Sequence, residues 1–139
     1  MNRAQLAKML LVARYNRIEE LENDNEFTDV SNGQWYTSAV MDAANKGIVN
    51  GYPDGTFKPA DTVNTVEFLK MISTTFAIEL NLPNDYSDVI GEEWFAPYAG
   101  AAAKYNMFPD RSTDKLEVGK KLTRNEVAIA IYQYLASNE

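Results

Sequence analysis

Apolar side chains recur at helical spacing in three long segments of the chain. In each segment they occupy positions i, i+3, i+4 and i+7, which is typical of a helix with one buried stripe. The three sets are Leu6, Met9, Leu10 and Ala13; Phe68, Met71, Ile72 and Thr75; and Val127, Ala130, Ile131 and Tyr134. Because each stripe is too narrow to be buried alone, we expect three long helices to face one another at the centre of an all-α bundle.

Two shorter apolar patterns, each led by a tryptophan, predict short peripheral helices. Ser31 and Gln34 have the spacing of a capping box ahead of Trp35. The second short helix begins near Trp94 and carries small residues on its apolar face, which permits close packing. A segment rich in Gly and Pro, residues 51–59, follows the first short helix and predicts a loop with a tight turn.

These elements recur because the chain is internally repetitive. Residues 27–30, Phe-Thr-Asp-Val, return as Tyr-Ser-Asp-Val at 86–89, and Trp35 returns as Trp94 in the same register. We expect Asp29 and Asp88, within these stretches, to hydrogen-bond their own turns. A repeat of this kind is one helix-loop-helix unit that needs its neighbours to bury its apolar face.

The sequence opens partway through such a repeat. Residues 1–6 match residues 63–68, so the first repeat has only its long helix. We divide a single domain, 1–139, into a partial repeat at 1–26, a complete repeat at 27–85 and a complete but divergent repeat at 86–139. Either an upstream part with any signal peptide precedes residue 1, or one arm is absent and a partner covers the exposed apolar flank.

The repeats resemble the S-layer homology family, which usually has three tandem copies. The matching segments are FTDVSNGQW, GIVNGYPDGTFKPADTVNTVEFLKMI, YSDVIGEEWFAPYAGAA and KLTRNEVAIAI. The resemblance implies a pseudo-threefold helical spindle that attaches an exported protein non-covalently to the cell surface. The implied ligand is a cell-wall polysaccharide, often pyruvylated, or modified peptidoglycan. It is expected in grooves between repeats, where the Arg of a Thr-Arg-Ala-Glu motif meets its negative group.

The family motif falls on the start of each predicted long helix. Each copy has Asn or Thr followed at the third position by Gln or Glu, which is the spacing of a capping box. The three pairs are Asn2 with Gln5, Asn64 with Glu67, and Thr123 with Glu126. Each cap is worth about 1 kcal/mol, and this structural role explains all six residues.

Capping does not explain the second position of the motif. A helix start disfavours a cation, so Arg3 and Arg124 suit an anion site made of a guanidinium and free helix-start amides. Solvated arginines, or partners for nearby acids, are the alternative. Thr65 replaces the arginine in the middle copy, so that groove should bind an anion weakly. Arg111, in the divergent third loop, either supplies a replacement cation or lies on the surface.

Aromatic and acidic side chains give further candidates for ligand binding. Trp35 and Trp94 suit stacking on a sugar face, although their spacing favours packing in the core. Tyr52 has the same two interpretations, whereas Phe57 is expected to fill the core. Asp54 is a candidate too, but Asp before Gly also has ordinary turn chemistry.

Composition limits the chemistry available to these 139 residues. The chain has no Cys and no His, which excludes disulfides, thiolate zinc sites, Cys nucleophiles and His bases. We predict no catalytic residue, no metal and no cofactor. With 13 Lys+Arg against 20 Asp+Glu, the net charge of −7 argues against nucleic acid as a partner. No apolar run reaches the roughly 18 residues of a membrane-spanning helix, so we predict no membrane insertion.

Two functions fit these observations. The first is a non-catalytic anchor of an S-layer or other surface protein, which binds cell-wall polysaccharide or a peptidoglycan-linked polymer. The alternative is a structural assembly module that contacts other copies or surface-layer proteins without binding polymer. The missing middle arginine and the negative charge favour the alternative.

Overall fold

The computed structural model describes residues 1–138, which form five α-helices and no β-strand. In chain order the helices are α1 (Arg3–Tyr15), α2 (Thr37–Asn45), α3 (Thr65–Phe76), α4 (Ala96–Lys104) and α5 (Arg124–Ser137). The all-α prediction is confirmed, with long helices α1, α3 and α5 and short helices α2 and α4. Glu139, the last residue of the third predicted repeat, lies outside the described residues.

The helices belong to two compact units, Met1–Thr62 and Val63–Glu139, which we call unit 1 and unit 2. In unit 1, α1 packs on α2, and in unit 2, α3 packs on α4. Each unit therefore combines a long helix with the short helix and loop of the next repeat, and unit 2 also contains α5, so the units do not follow the sequence repeats. The central bundle of three long helices stays a prediction.

The predicted apolar stripes supply much of the core of each unit. In α1, Leu6 and Leu10 are fully buried while Met9 and Ala13 are half-buried. All four predicted residues of α3 are buried, as are the first three of α5. The fourth residue of α5, Tyr134, is half-buried, with ring centroids of Phe76 and Tyr105 at 5.0 and 4.9 Å. Burial of each large aliphatic side chain contributes roughly 1.5–3 kcal/mol.

All three long helices begin with a capping box, as the motif spacing predicts. The Asn2 side chain accepts from the amide of Gln5 at 2.8 Å, and the Asn2 amide donates to the Gln5 side chain at 2.9 Å. The same reciprocal bonds join Asn64 to Glu67 and Thr123 to Glu126. These side chains therefore satisfy helix-start amides that have no partner inside the helix.

The first short helix starts later than predicted. It begins at Thr37, and its N-cap residue, Tyr36, makes no side-chain capping bond. The predicted capping box of Ser31 and Gln34 is wrong, because the Thr37 hydroxyl donates to the Ser31 carbonyl at 2.7 Å and accepts from the Gln34 amide at 3.1 Å. Trp35 consequently lies in the turn before the helix and not on its buried face.

Close backbone packing explains one small residue of the second short helix. A Cβ on Gly100 would lie 2.0 Å from the carbonyl oxygen of Leu82, so a glycine is required where this segment crosses α4. The close approach is between α4 and a non-helical segment, so the predicted close approach of another helix on the small-residue face stays a prediction. None of the helices in residues 1–138 is long and apolar enough to cross a membrane.

Candidate functional site

In unit 1 the loop before α3 folds back onto the start of α1. The amides of Arg3 and Ala4 donate to the carbonyl oxygens of Asp61 and Pro59, at 2.9 and 3.1 Å. The sequence predicted free helix-start amides beside Arg3, and that part of the prediction is wrong. The loop carbonyls occupy the positions that an anion would need.

The start of α3 in unit 2 is occupied in the same way. The amides of Thr65 and Val66 donate to the carbonyl oxygens of Lys120 and Val118, at 3.0 and 3.4 Å. Two of the three motif copies therefore hold a loop instead of offering amides to an anion.

Arg3 fastens this loop in unit 1 through its side chain as well. The residue is only 8% exposed. Its Nε donates to the Phe57 carbonyl at 2.9 Å and its Nη2 to the Asn50 carbonyl at 3.1 Å. The guanidinium carbon lies 4.6 Å from the ring centroid of Phe57 and 5.0 Å from that of Tyr52. Carbonyls and aromatic rings therefore satisfy this cation, so the alternative of a solvated or acid-paired Arg3 is wrong.

Arg111 is buried in unit 2 and does not lie on the surface. Its side chain is 5% exposed, and Nη1 donates to the Thr65 hydroxyl at 2.8 Å and to the Leu116 carbonyl at 2.7 Å. Nη2 donates to a carboxylate oxygen of Glu126 at 2.9 Å, and the guanidinium carbon lies 4.2 Å from the ring centroid of Phe108. The surface interpretation of Arg111 is therefore wrong.

The guanidinium of Arg111 takes the place in unit 2 that the guanidinium of Arg3 takes in unit 1. Thr65 is the repeat equivalent of Arg3, and its hydroxyl contacts Arg111. The Leu116 carbonyl is likewise the repeat equivalent of the Phe57 carbonyl, because each residue also donates its amide to the aspartate of its unit. We call the contact between the loop and the start of the long helix in each unit a joint: residues 50–61 with α1 in unit 1, and residues 108–120 with α3 in unit 2. A guanidinium is thus present at both joints, although only Arg3 comes from the helix-start motif.

Asp29 and Asp88 bind the same two loops through their carboxylates. Each carboxylate accepts two consecutive loop amides, so the expectation that each would bond its own turn is wrong. The donors, at 2.7–2.8 Å, are Phe57 and Lys58 for Asp29, and Leu116 and Glu117 for Asp88. Burial, the largest single effect, would raise the pKa of Asp88, but backbone hydrogen bonds, led by those from Leu116 and Glu117, together lower the pKa below its ordinary value.

Glu126 combines capping with charge pairing. Burial by itself would raise the pKa of this carboxyl, but the hydrogen bonds from Arg111 and the Thr123 amide, with the charges of Arg111 and Lys120, together lower it. Lys120 also approaches, with Nζ 3.8 Å from the carboxylate. The carboxylate therefore stays ionised and neutralises the buried guanidinium.

Asp54 and Tyr52 have structural tasks within the loop of unit 1. The Asp54 carboxylate accepts from the hydroxyl and the amide of Thr56, at 2.6 and 3.0 Å, and these bonds lower its pKa. Tyr52 is half-buried, and Lys58 places its Nζ 4.3 Å from the Tyr52 ring centroid. The turn chemistry expected of Asp54 is present, and ligand binding by either residue stays a prediction.

Both tryptophans are exposed, in contrast to the packing that their spacing favoured. Trp35 is 58% exposed and Trp94 is 57% exposed. A lysine of the preceding long helix reaches each ring, with Nζ 5.8 Å from the centroid for Lys8 and 5.9 Å for Lys70. We call the Lys8–Trp35 and Lys70–Trp94 pairs the Lys–Trp platforms. Sequence reasoning missed the lysines, although they occupy equivalent positions of α1 and α3 in the repeat alignment.

Arg124 differs from the other two arginines because its side chain is exposed at the start of α5. Within residues 1–138, no carbonyl accepts from the backbone amides of Arg124 or Asn125, and no carboxylate pairs with the guanidinium. Lys121, just before the helix, is also exposed. The combination of guanidinium and free helix-start amides that the motif predicted is therefore present at α5. In the same described range, no group of three or more acidic side chains is placed to hold a metal ion.

One segment of the chain matches a known protein family. Residues 26–64 match the model of the S-layer homology domain. The motif-based recognition is thereby confirmed, and the matched segment includes Asp29, Trp35 and the loop that Arg3 fastens.

Relatives of this chain include large surface proteins. It is similar to the surface-layer 125 kDa protein of Lysinibacillus sphaericus, with 24% identity over 75% of this chain and 9% of that protein. The middle cell wall protein of Brevibacillus brevis is 33% identical over 50% of this chain and 7% of its own length. An endoglucanase of a Bacillus species is 23% identical over 89% of this chain and 13% of the enzyme. The chain thus spans a small fraction of each relative.

Proposed function

We propose that this chain is a cell-surface anchoring module that binds an anionic cell-wall polysaccharide and catalyses no reaction. The observation that supports this proposal is the difference in exposure among three arginines at or beside the starts of the long helices. Arg3 and Arg111 are buried and bonded to loops, whereas Arg124 is exposed beside helix-start amides without partners in the described part of the chain. The anchoring role follows the S-layer homology match and the surface proteins among the relatives.

Arg124 is the proposed contact for the negative group of the polymer. A guanidinium binds a carboxylate through two parallel hydrogen bonds, and helix-start amides add donors and a favourable dipole. Such a site suits a pyruvate ketal, a uronate or a phosphate. Because the whole chain carries a net charge of −7, this attraction is local and should weaken with added salt.

The Lys–Trp platforms are the proposed contacts for sugar rings. An exposed indole offers an apolar face to the apolar face of a pyranose, and the lysine beside it can neutralise an acidic substituent. Two platforms in one chain allow a repeating polymer to bind at more than one point, which raises the overall affinity.

No catalysis is assigned to this chain, although one relative is named an endoglucanase. The chain covers 13% of that enzyme, and the proposal attributes the hydrolytic activity to the remaining part. The cell surface is the proposed location, outside the membrane.

A sedimentation assay with purified, insoluble cell-wall polysaccharide tests the proposal. Loss of one charge-assisted contact costs roughly 1.5–3 kcal/mol, so Arg124→Ala should weaken binding at least tenfold. Arg14→Ala, which removes an exposed arginine from the last turn of α1, is the matched control and should bind like the native chain. Equal binding by all three proteins would contradict the role of Arg124.

The tryptophans provide a direct readout, because Trp35 and Trp94 are the two indoles of the chain. Trp94→Phe leaves Trp35 as a single reporter, and Trp35→Phe leaves Trp94. Soluble polysaccharide fragments should change the emission of each reporter, and unchanged emission at saturating fragment would remove the platforms from the proposal.

The assembly module remains the second candidate because unit 2 exposes large apolar side chains. Ile90 is 75% exposed and Tyr132 is 66% exposed. Light scattering that shows concentration-dependent association, together with no polysaccharide binding, would favour this alternative over the anchor.

A further inference from the structure

Unit 2 contains a cleft that neither Arg124 nor the Lys–Trp platforms use. Its volume is about 330 Å³, at the low end of the range for small-molecule sites. The segment 83–86, the end of α4 and the loop 108–113 line it. A volume of this size suits one or two sugar rings.

The cleft coincides with a change in the repeat. Pro53 of the first loop returns as Pro109, whereas Phe57, whose amide Asp29 binds, returns as Leu116, whose amide Asp88 binds. The stretch between the proline and the bonded amide is therefore longer in the third repeat. We assign the added residues to 111–113, all of which line the cleft.

Phe27, the repeat equivalent in unit 1 of the cleft residue Tyr86, is buried. Phe27 is 7% exposed and its ring lies 5.4 Å from that of Phe57. A Cβ on Gly51 would lie 2.5 Å from the Phe27 ring. In unit 2 the equivalent of Phe27 is Tyr86, which is only half-buried and lines the cleft. The exchange of Phe for Tyr therefore puts a hydroxyl where unit 1 has only carbon.

Most polar residues of the lining are neutral hydrogen-bonding groups. The Tyr86 hydroxyl, the Asn106 side-chain amide and the Thr113 hydroxyl form no hydrogen bond within residues 1–138. Arg111 also lines the cleft, but Glu126 at 2.9 Å and Glu117 at 3.5 Å neutralise its charge. Asp85 contributes an exposed carboxylate, which disfavours anions.

We propose that this cleft is a binding subsite for a neutral sugar residue. The hydroxyl and amide groups of Tyr86, Asn106 and Thr113 would hydrogen-bond sugar hydroxyls, and the ring of Phe108 with the alanines of α4 would contact its apolar face. The ligand class rests on the proposed function, whereas the site itself does not. The subsite is specific to the third repeat, because its lining includes residues 111–113.

The experiment is a titration of the ¹⁵N-labelled chain, followed by amide chemical shifts, with glucose, N-acetylglucosamine and glucuronate. A neutral sugar should shift the amides of residues 84–86, 103–106 and 111–113 saturably, with a millimolar Kd. Glucuronate, the anionic counterpart of glucose, should bind there at least fivefold more weakly than glucose. No saturable shift with either neutral sugar, or tighter binding of glucuronate at these amides, would overturn the proposal.

Two variants locate the binding. Tyr86→Phe installs the residue that unit 1 carries at the equivalent position and should weaken neutral-sugar binding at least fivefold. Tyr132→Phe, at an exposed tyrosine, is the control and should leave the Kd unchanged. Equal Kd values for both variants and the native chain would overturn the site. Arg124→Ala should also leave this Kd unchanged, so failure of the anionic anchor and failure of the cleft are distinguishable.

Discussion

Units 1 and 2 each use a buried arginine to connect the loop to the start of the long helix, but the two arginines come from different parts of the chain. In unit 1 the guanidinium comes from Arg3 at the helix start and reaches out to the Phe57 carbonyl in the loop. In unit 2 it comes from Arg111 in the loop and reaches back to Thr65 at the helix start. In both units the cation contacts an aromatic ring and the carbonyl of the residue whose amide an aspartate binds.

The comparison indicates what the joint between loop and helix requires. A buried loop carbonyl needs a donor, since an unsatisfied one costs roughly 1–3 kcal/mol. A guanidinium must lie beside this carbonyl, and either the helix start or the loop can supply it. An arginine in the family motif therefore identifies a joint, but it does not by itself identify a ligand contact.

The largest expected effect is the loss of Arg111. Arg111→Ala removes the donor to Leu116 and leaves the partly buried Glu126 without its closest cation, so we expect the free energy of unfolding to fall by about 3 kcal/mol.

The loss of Arg3 is expected to have a smaller effect. Arg3→Ala leaves carbonyl oxygens without a charged partner, and we expect the free energy of unfolding to fall by about 2 kcal/mol. Urea unfolding followed by circular dichroism measures both losses.

Hydrogen exchange assigns each loss to its unit. Arg111→Ala should accelerate exchange of the Leu116 amide, and Arg3→Ala that of the Phe57 amide, because these amides lie at the respective joints. Arg14→Ala, at an exposed position, should change neither amide by more than a small factor. Stability within about 0.5 kcal/mol of the native chain for Arg111→Ala, the range of neutral surface substitutions, would contradict a structural role.

Local sequence signals predicted the elements of the fold well. The stripes of α1, α3 and α5 follow from helical periodicity, and the capping boxes follow from the spacing of their paired residues. Such signals depend on neighbours along one helix. The repeat alignment likewise indicated that Thr65 replaces Arg3, but it left open whether Arg111 supplies a replacement cation or lies on the surface.

Local sequence signals did not predict the contacts between segments that are far apart in the chain. Asp29 binds the amides of Phe57 and Lys58, and Arg3 binds the Phe57 carbonyl, across long stretches of intervening chain. The burial of Arg3 and the exposure of Trp35 both depend on how a loop closes, which no periodicity encodes. The sequence therefore did not predict that Arg3 is buried or that Trp35 is exposed, and ligand binding at these residues stays a prediction.

An exchange of residues between the units tests whether the two arrangements are equivalent. Thr65→Arg places an arginine where unit 1 has Arg3, so it should recover about 1.5 kcal/mol when added to Arg111→Ala. Alone, the same substitution should destabilise unit 2, because two guanidiniums would then compete for one buried place. A double-mutant cycle in urea measures the coupling.

The matched control for this cycle is Thr65→Lys combined with Arg111→Ala. A lysine supplies the charge without the planar, branched donors of a guanidinium, and it should recover less than arginine does. Additive effects of Thr65→Arg and Arg111→Ala would refute the equivalence of the two joints.

The smallest expected effect is the pH dependence of stability that the carboxyls of the joint in unit 2 produce. The pKa values of Asp88 and Glu126 are lowered in the folded chain, so their stabilisation is present above the ordinary values of 3.8 and 4.5 and is lost as the pH falls through the lowered values. Because both carboxyls are partly solvated, we expect each to contribute less than about 1 kcal/mol. The stability difference between the native chain and Asp88→Asn should shrink between pH 7 and pH 3 in urea unfolding. A difference that stayed constant over this range would show that the loop amides prefer neither protonation state of Asp88.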